Sequence, residues 1–173
     1  LQILFLNLVT DIFPALALGL GKGNKLIMKI PPRNPQQPIV IKRDWFTINA
    51  YAVLLALPIM VVTWYYSYYL KYDAQLCNNI SFFSLALSQL WHVLNLSSRK
   101  ISFLNNEITR NKFIWAALLL CIAILAVFYF VHPLNKYIGV QMLSTSTWLI
   151  IGLTSMAPVV LIQLFKRVFK IID

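Results

Sequence analysis

Five apolar segments divide the chain, with polar connections between them. Each has about the 17–25 residues that a helix needs to cross a hydrocarbon core of about 30 Å. Lipid offers no hydrogen-bonding partner to the backbone, so spanning segments have to be helical, and these lack the two-residue alternation of a membrane β-barrel. The pattern predicts an all-α membrane protein, a bundle of five transmembrane helices. The predicted spans cover residues 1–20, 45–70, 80–97, 113–132 and 148–165.

The amino-acid composition supports lipid as the solvent for most of the surface. Of the 173 residues, 60% are hydrophobic and 12% are charged, whereas a soluble domain has about 45–50% apolar and about 25% charged residues. So few charged residues cannot cover a soluble core, and so many apolar residues exclude a disordered chain. We therefore expect an integral, multi-pass membrane protein that has the lipid bilayer as a partner.

The basic residues are distributed unevenly between the loops. In a soluble protein, the net charge of +10 would suggest nucleic acid as a partner. Thirteen of the 15 Lys and Arg residues, however, lie in residues 21–44, residues 98–112 and the C-terminal tail, and two lie in the other loops. Because cytoplasmic loops carry the excess of Lys and Arg, loops 21–44 and 98–112 and the C-terminus should be cytoplasmic, with the N-terminus outside. No nucleic-acid partner is expected.

The first apolar segment begins at Leu1, without an initiating Met, a signal peptide or a polar lead. An outside start of this kind is explained by another helix that precedes the segment. We therefore expect residues 1–173 to form a single C-terminal transmembrane domain of a larger membrane protein.

Asp11 lies near the middle of the first segment, where a carboxylate costs about 2.5–3.5 kcal/mol on insertion scales and is therefore rarely present without a role. Asn7, Thr10 and Pro14 share its helical stripe, because their spacing is i, i+3, i+4 and i+7. Pro14 cannot donate to the carbonyl of Thr10, so a bent or unwound turn would free carbonyls beside these side chains. Such oxygen ligands suit a hard cation such as Ca²⁺. The alternative is a structural Asp11 hydrogen-bonded to a neighbouring helix.

Several motifs resemble the C-terminal transmembrane region of P-type cation-transporting ATPases. Residues 7–19, Asn-Leu-Val-Thr-Asp-Ile-Phe-Pro-Ala-Leu-Ala-Leu-Gly, look like the sixth transmembrane helix of sarcoplasmic-reticulum-like and secretory-pathway-like calcium pumps and their bacterial relatives. Residues 27–33 resemble the Ile-Met-x-x-Pro-Pro-Arg of the following cytoplasmic loop, residues 88–95 the eighth helix, and residues 131–134 the end of the ninth. The resemblance implies that the five spans are helices six to ten of a ten-helix pump.

The resemblance also implies a set of ion ligands. Asp11 matches the central carboxylate that bridges the family's ion sites, Asn7 an amide ligand of the site shared with the fourth helix, and Thr10 a ligand of the second site. Gln89 stands where two-site calcium pumps have a glutamate in the eighth helix, and the loss of this charge favours a single transported ion. An interhelical hydrogen bond is the other role open to Gln89.

The implied function is that of the membrane part of an ATP-driven cation pump, with Ca²⁺ as the expected cargo and Mn²⁺ or another cation as the alternative. The sequence has no Asp-Lys-Thr-Gly phosphorylation motif, so ATP and Mg²⁺ would act only through upstream domains of the same parent chain. Those domains and the upstream helices are the other expected partners, and a bacterial plasma membrane is the expected location. The rival hypothesis is a free-standing channel or secondary transporter built around Asp11, although no inverted repeat is visible.

Overall fold

Helices account for all the regular secondary structure in the part of the chain that the computed structural model describes, namely residues 1–20, 36, 38–96 and 108–169, with the backbone alone at 169. The all-α membrane architecture is thereby confirmed. The helices in chain order are α1 (Gln2–Gly19), α2 (Lys42–Tyr68), α3 (Ala74–His92), α4 (Lys112–Phe130), α5 (His132–Tyr137) and α6 (Thr145–Phe169). A short 3₁₀ turn, Val93–Leu96, continues α3.

Most of the two predicted cytoplasmic loops, 21–44 and 98–112, lies outside the described residues. The same holds for the loop motif at residues 27–33 and for the end of the basic tail. The orientation of the bundle in the membrane therefore stays a prediction from the distribution of Lys and Arg.

Four helices, α1, α2, α4 and α6, are each long and apolar enough to cross a membrane. Their outward surfaces carry large apolar side chains, among them Leu4, Met60, Leu119 and Leu153, all of which are exposed. On a soluble protein such extended apolar exposure marks an interaction surface or an aggregation liability, whereas a lipid environment solvates it. The surface of these helices is therefore that of an integral membrane protein.

α3 corresponds to the third predicted span and is less apolar than the other four, so it is not among the helices that qualify by length and composition. It packs between α2 and α6 and also contacts the middle of α1. Its polar residues Asn79, Ser84 and Ser88 are fully buried. Because neighbouring helices cover these polar groups, they are shielded from the lipid, which lets the bundle accommodate a comparatively polar helix.

α3 begins at Ala74, earlier than hydropathy predicts, because Asp73 caps its first turn. The carboxylate Oδ2 of Asp73 accepts a hydrogen bond from the backbone N–H of Gln75 at 3.1 Å, and Asp is among the residues most favoured at this position. Cys77, which precedes the predicted third span, therefore lies in the first turn of α3, where it is buried.

α4 ends where Val131 takes an extended conformation. Pro133 then lies in the first turn of α5, a six-residue helix that hydropathy does not predict, and proline fits there because an N–H at that position would have no partner. Tyr129 ties the following connection to the bundle. Its hydroxyl oxygen accepts hydrogen bonds from the backbone N–H of Leu143 at 2.8 Å and from the indole nitrogen of Trp148 at 3.3 Å.

A buried polar cluster joins the C-terminal ends of α3 and α6. The side-chain nitrogen of Gln163 donates to Asn95 Oδ1 at 2.7 Å, and the ammonium of Lys166 donates to the backbone carbonyl of Asn95. Asn95 is fully buried and Lys166 is 4% exposed. A buried charge is tolerated only where it is paired or hydrogen-bonded, and Lys166 meets this condition through the carbonyl of Asn95. The hydrogen bonds of the cluster hold the end of α3 against α6.

Candidate cation site

α1 carries three of the four predicted ligands, and its middle is not a regular α-helix. Two α-helical stretches, Gln2–Asn7 and Phe13–Gly19, flank a π-helical turn at Leu8–Ile12. Pro14 offers the physical reason, because it has no N–H to donate to the preceding turn. π turns are rare within α-helices and are frequent at functional sites. Where the sequence predicts a bent or unwound turn, the structure has a continuous helix with one widened turn.

Thr10 lies inside this turn and is 4% exposed. Its hydroxyl oxygen is 2.9 Å from Gln89 Oε1, 3.0 Å from the carbonyl oxygen of Leu6 and 3.3 Å from Asp11 Oδ1. A hydroxyl has a single proton, so the Thr10 hydroxyl cannot donate a full hydrogen bond to all three acceptor oxygens. Three acceptor oxygens, those of Gln89, Leu6 and Asp11, therefore converge on a single hydroxyl proton at Thr10.

Gln89 lies on α3, 79 positions after Thr10 in the sequence, and its side chain contacts the Thr10 hydroxyl. The contact belongs to the packing of α3 against the π turn of α1. Of the two roles open to Gln89, the interhelical hydrogen bond is thus present in the structure. Its amide oxygen has two lone pairs, so the bond to Thr10 leaves one of them for another partner.

Asn7 and Asp11 lie on the exposed side of α1, whereas Thr10 is turned toward the interior of the bundle. The single stripe that the spacing predicts assumes 3.6 residues per turn, and the wider π turn departs from that period. The carboxylate of Asp11 stands at the edge of the described bundle, in the middle of a span. Contact with lipid at that depth would cost about 2.5–3.5 kcal/mol, so this face of α1 requires a polar or charged cover.

The structure brings Thr10, Gln89 and Asp11 together, and Asn7 lies about one turn away on the outward face. All four side chains offer oxygen atoms, and a hard cation such as Ca²⁺ takes about 6–8 oxygen ligands. Within the described ranges, no three His, Cys, Asp or Glu residues come together. The four oxygen-bearing side chains can therefore supply part of a coordination shell, with Asp11 as its carboxylate.

The sequence alone did not identify the contact between Thr10 and Gln89, because that distance depends on how α3 packs on α1. A signal was nevertheless present. Both residues are polar and lie in predicted spans, and polar side chains hydrogen-bond to one another across helices in a membrane.

The sequence is similar to one protein family over nearly its whole length. Residues 1–168 match the family described as cation transporting ATPase, C-terminus. Calcium-transporting ATPase 1 of Bacillus cereus is 28% identical over 98% of this chain and 21% of its own length, and the calcium-transporting ATPase of Bacillus subtilis is 26% identical over 90% of this chain and 17% of its own. P-type sodium-transporting ATPase4 of Plasmodium falciparum is 37% identical over 53% of this chain and 8% of its own length.

The chain spans about a fifth or less of the length of these relatives. The family match extends over nearly the whole chain and includes both the π turn of α1 and Gln89 on α3. The helical architecture and the apolar outer surface agree with a membrane domain of this kind. The chain therefore belongs to the cation-transporting ATPase C-terminal family, and it is the C-terminal region of a P-type cation ATPase.

Proposed function

We propose that this chain forms the membrane part of an ATP-driven cation pump and contributes ligands to its transport site. The observation that carries the proposal is the crowding of oxygen atoms at Thr10: acceptor oxygens of Gln89 and Asp11 lie within 3.3 Å of a hydroxyl that has one proton. A bound cation relieves this crowding, because it interacts with the lone pairs that no proton satisfies. The position of the crowded oxygens in mid-span suits an ion that crosses the membrane.

The four residues have distinct roles in this proposal. Asp11 supplies negative charge, Thr10 a hydroxyl oxygen, and Gln89 and Asn7 an amide oxygen each. Because Asp11 is the single carboxylate of the set, we propose that one ion is bound at a time. The remaining ligands come from helices upstream in the parent chain, which also cover the exposed face of α1 that carries Asp11 and Asn7.

The proposed cargo is Ca²⁺. Hard oxygen donors suit this ion, and two relatives that match nearly the whole chain are named as calcium-transporting. Carboxylate and carbonyl ligands also suit Mn²⁺, and the relative from Plasmodium falciparum is named as a sodium transporter. Mn²⁺ and Na⁺ are therefore the alternatives that an experiment has to separate from Ca²⁺.

The proposed energy source is ATP, which would be bound with Mg²⁺ by domains upstream in the parent chain, since this sequence has no Asp-Lys-Thr-Gly motif. The proposed setting is a bacterial plasma membrane. The two Bacillus relatives support this setting, because each matches at least 90% of the chain.

The test uses the full-length parent protein, reconstituted into lipid vesicles. ATP hydrolysis is measured in separate titrations with Ca²⁺, Mn²⁺ and Na⁺ for the wild type, for Asp11→Asn and for Asp73→Asn. Asp73→Asn is the matched control, because Asp73 caps α3 and Asn caps a helix about as well as Asp. We expect stimulation by Ca²⁺ that Asp11→Asn abolishes and Asp73→Asn preserves.

Two results would contradict the proposal in different ways. Stimulation by Mn²⁺ or Na⁺ without any response to Ca²⁺ would exclude calcium as the cargo. Cation flux into the vesicles with no cation-stimulated ATP hydrolysis would exclude a pump and favour a channel or secondary transporter.

A further inference from the structure

Pro14 directly follows the π turn of α1 and removes one backbone N–H donor from it. In π pairing, a carbonyl accepts from the N–H five residues further along the chain, which for Val9 is residue 14. Pro14 has no N–H. Val9 is buried, and a buried carbonyl without a donor loses the free energy of a hydrogen bond, so another group has to satisfy it.

Cys121 of α4 supplies that donor. Its Sγ lies 3.0 Å from the carbonyl oxygen of Val9. The side chain of Cys121 is fully buried, its thiol is free, and α4 packs directly against the π turn. A thiol is a weak donor, but the low dielectric of a dry helix interface strengthens such a bond.

We propose that Cys121 is a positioning residue for the cation site. Its thiol takes the place of the N–H that Pro14 lacks, and it thereby fixes the turn that presents Thr10 and Asp11. These two residues directly follow Val9 in the chain, so a rotation of the Val9 peptide plane displaces both of their side chains. The proposal rests on the cation-site function proposed above, and it assigns Cys121 no contact with the ion.

The first test compares substitutions that keep or remove the donor in the full-length pump. Cys121→Ser keeps a donor of similar size, and Cys121→Ala removes it. A neutral hydrogen bond changes an equilibrium constant by a factor of about 2 to 10. We therefore expect Cys121→Ala to raise the half-maximal Ca²⁺ concentration by about that factor, with a smaller effect on the maximal rate. Cys121→Ser should restore the wild-type value. Cys77→Ala, at the other buried free thiol, is the matched control and should change neither.

Restoring the missing N–H gives a second test. Pro14→Ala returns a backbone donor to the turn, so Cys121→Ala should shift the half-maximal Ca²⁺ concentration less in that background than in the wild type. Equal shifts in the two backgrounds would show that the thiol acts through packing and would overturn the proposal. So would equal shifts for Cys121→Ser and Cys121→Ala.

Infrared spectroscopy of the S–H stretch tests the hydrogen bond without any ion. The band that disappears in Cys121→Ser should lie at lower frequency than the band that disappears in Cys77→Ser, because the Sγ of Cys77 is 3.9 Å from its acceptor, the carbonyl oxygen of Tyr72. A band at the same or a higher frequency would overturn this proposal, whatever Asp11→Asn does. A low-frequency band combined with full Ca²⁺ stimulation in Asp11→Asn would instead overturn the cation site.

Discussion

The hydrogen bond between Thr10 and Gln89 predicts that these two residues act as one unit in ion affinity. Thr10→Val removes the hydroxyl with little change in shape, and Gln89→Leu removes the amide. Each substitution breaks the same 2.9 Å contact. Once one substitution has broken this contact, the other substitution should therefore have a smaller effect on ion affinity than it has in the wild type.

The expected size of this coupling follows from hydrogen bonds between membrane helices, which contribute about 0.6 kcal/mol on average and about 1.7 kcal/mol at most. Since about 1.4 kcal/mol corresponds to a factor of ten, the coupling should be about 3-fold and no more than about 20-fold in the half-maximal Ca²⁺ concentration. Gln89→Leu should raise that concentration in the wild type, and the increase should be smaller by this factor in the Thr10→Val background.

The assay is ATP hydrolysis by the full-length pump as a function of free Ca²⁺, for the wild type, both single variants and the double variant. Gln163→Leu is the matched control, because the side chain of Gln163 also bridges two helices, through Asn95, in a different part of the bundle. Independent sites add to within about 0.3–0.5 kcal/mol, so Gln163→Leu and Thr10→Val should be additive. An equal increase in the half-maximal Ca²⁺ concentration on Gln89→Leu with and without the Thr10 hydroxyl would show that the two residues act independently and would contradict the prediction.

Three further predictions concern Gln89, Lys166 and the topology of the chain in the membrane. Gln89→Glu should lower the half-maximal Ca²⁺ concentration, because a carboxylate replaces an amide beside the ion, and an unchanged titration would restrict Gln89 to its hydrogen bond. Lys166→Met should shorten the half-life of the pump during heat inactivation, since hydrogen bonds of charged groups contribute about 1.5–3 kcal/mol. Arg167→Met, at an exposed position, should leave the half-life unchanged. Equal half-lives for the two variants would contradict this prediction. A membrane-impermeant thiol reagent should label Lys112→Cys from the cytoplasm and Lys136→Cys from outside, and the reverse pattern would invert the predicted topology.

Hydropathy predicts α1, α2, α4 and α6, because each of these helices carries exposed apolar side chains along its span. It predicts α3 less well, because other helices surround α3 and its composition reflects buried protein contacts. The start of α3 depends on a local feature, the cap at Asp73. The short helix α5 depends on another, the position of Pro133 two residues after the extended Val131. Neither feature contributes to the mean hydropathy of a long window.

The sequence predicts the candidate site as a set of residues but does not specify their arrangement. The position of Asp11 in mid-span and its spacing from Asn7 and Thr10 follow from the sequence alone. The π turn breaks the period on which that spacing argument depends and turns Thr10 inward. The contact of Thr10 with Gln89 arises from the packing of two helices that are distant in sequence, and no pattern within either helix specifies it.

We propose that Asp11 and its oxygen-bearing neighbours bind the transported cation. Equilibrium binding of radioactive Ca²⁺ to the purified full-length pump, without ATP, measures this binding itself. We expect one bound Ca²⁺ per pump in the wild type and in Asp73→Asn, and none in Asp11→Asn at the same free concentration. Unchanged Ca²⁺ binding in Asp11→Asn would contradict it.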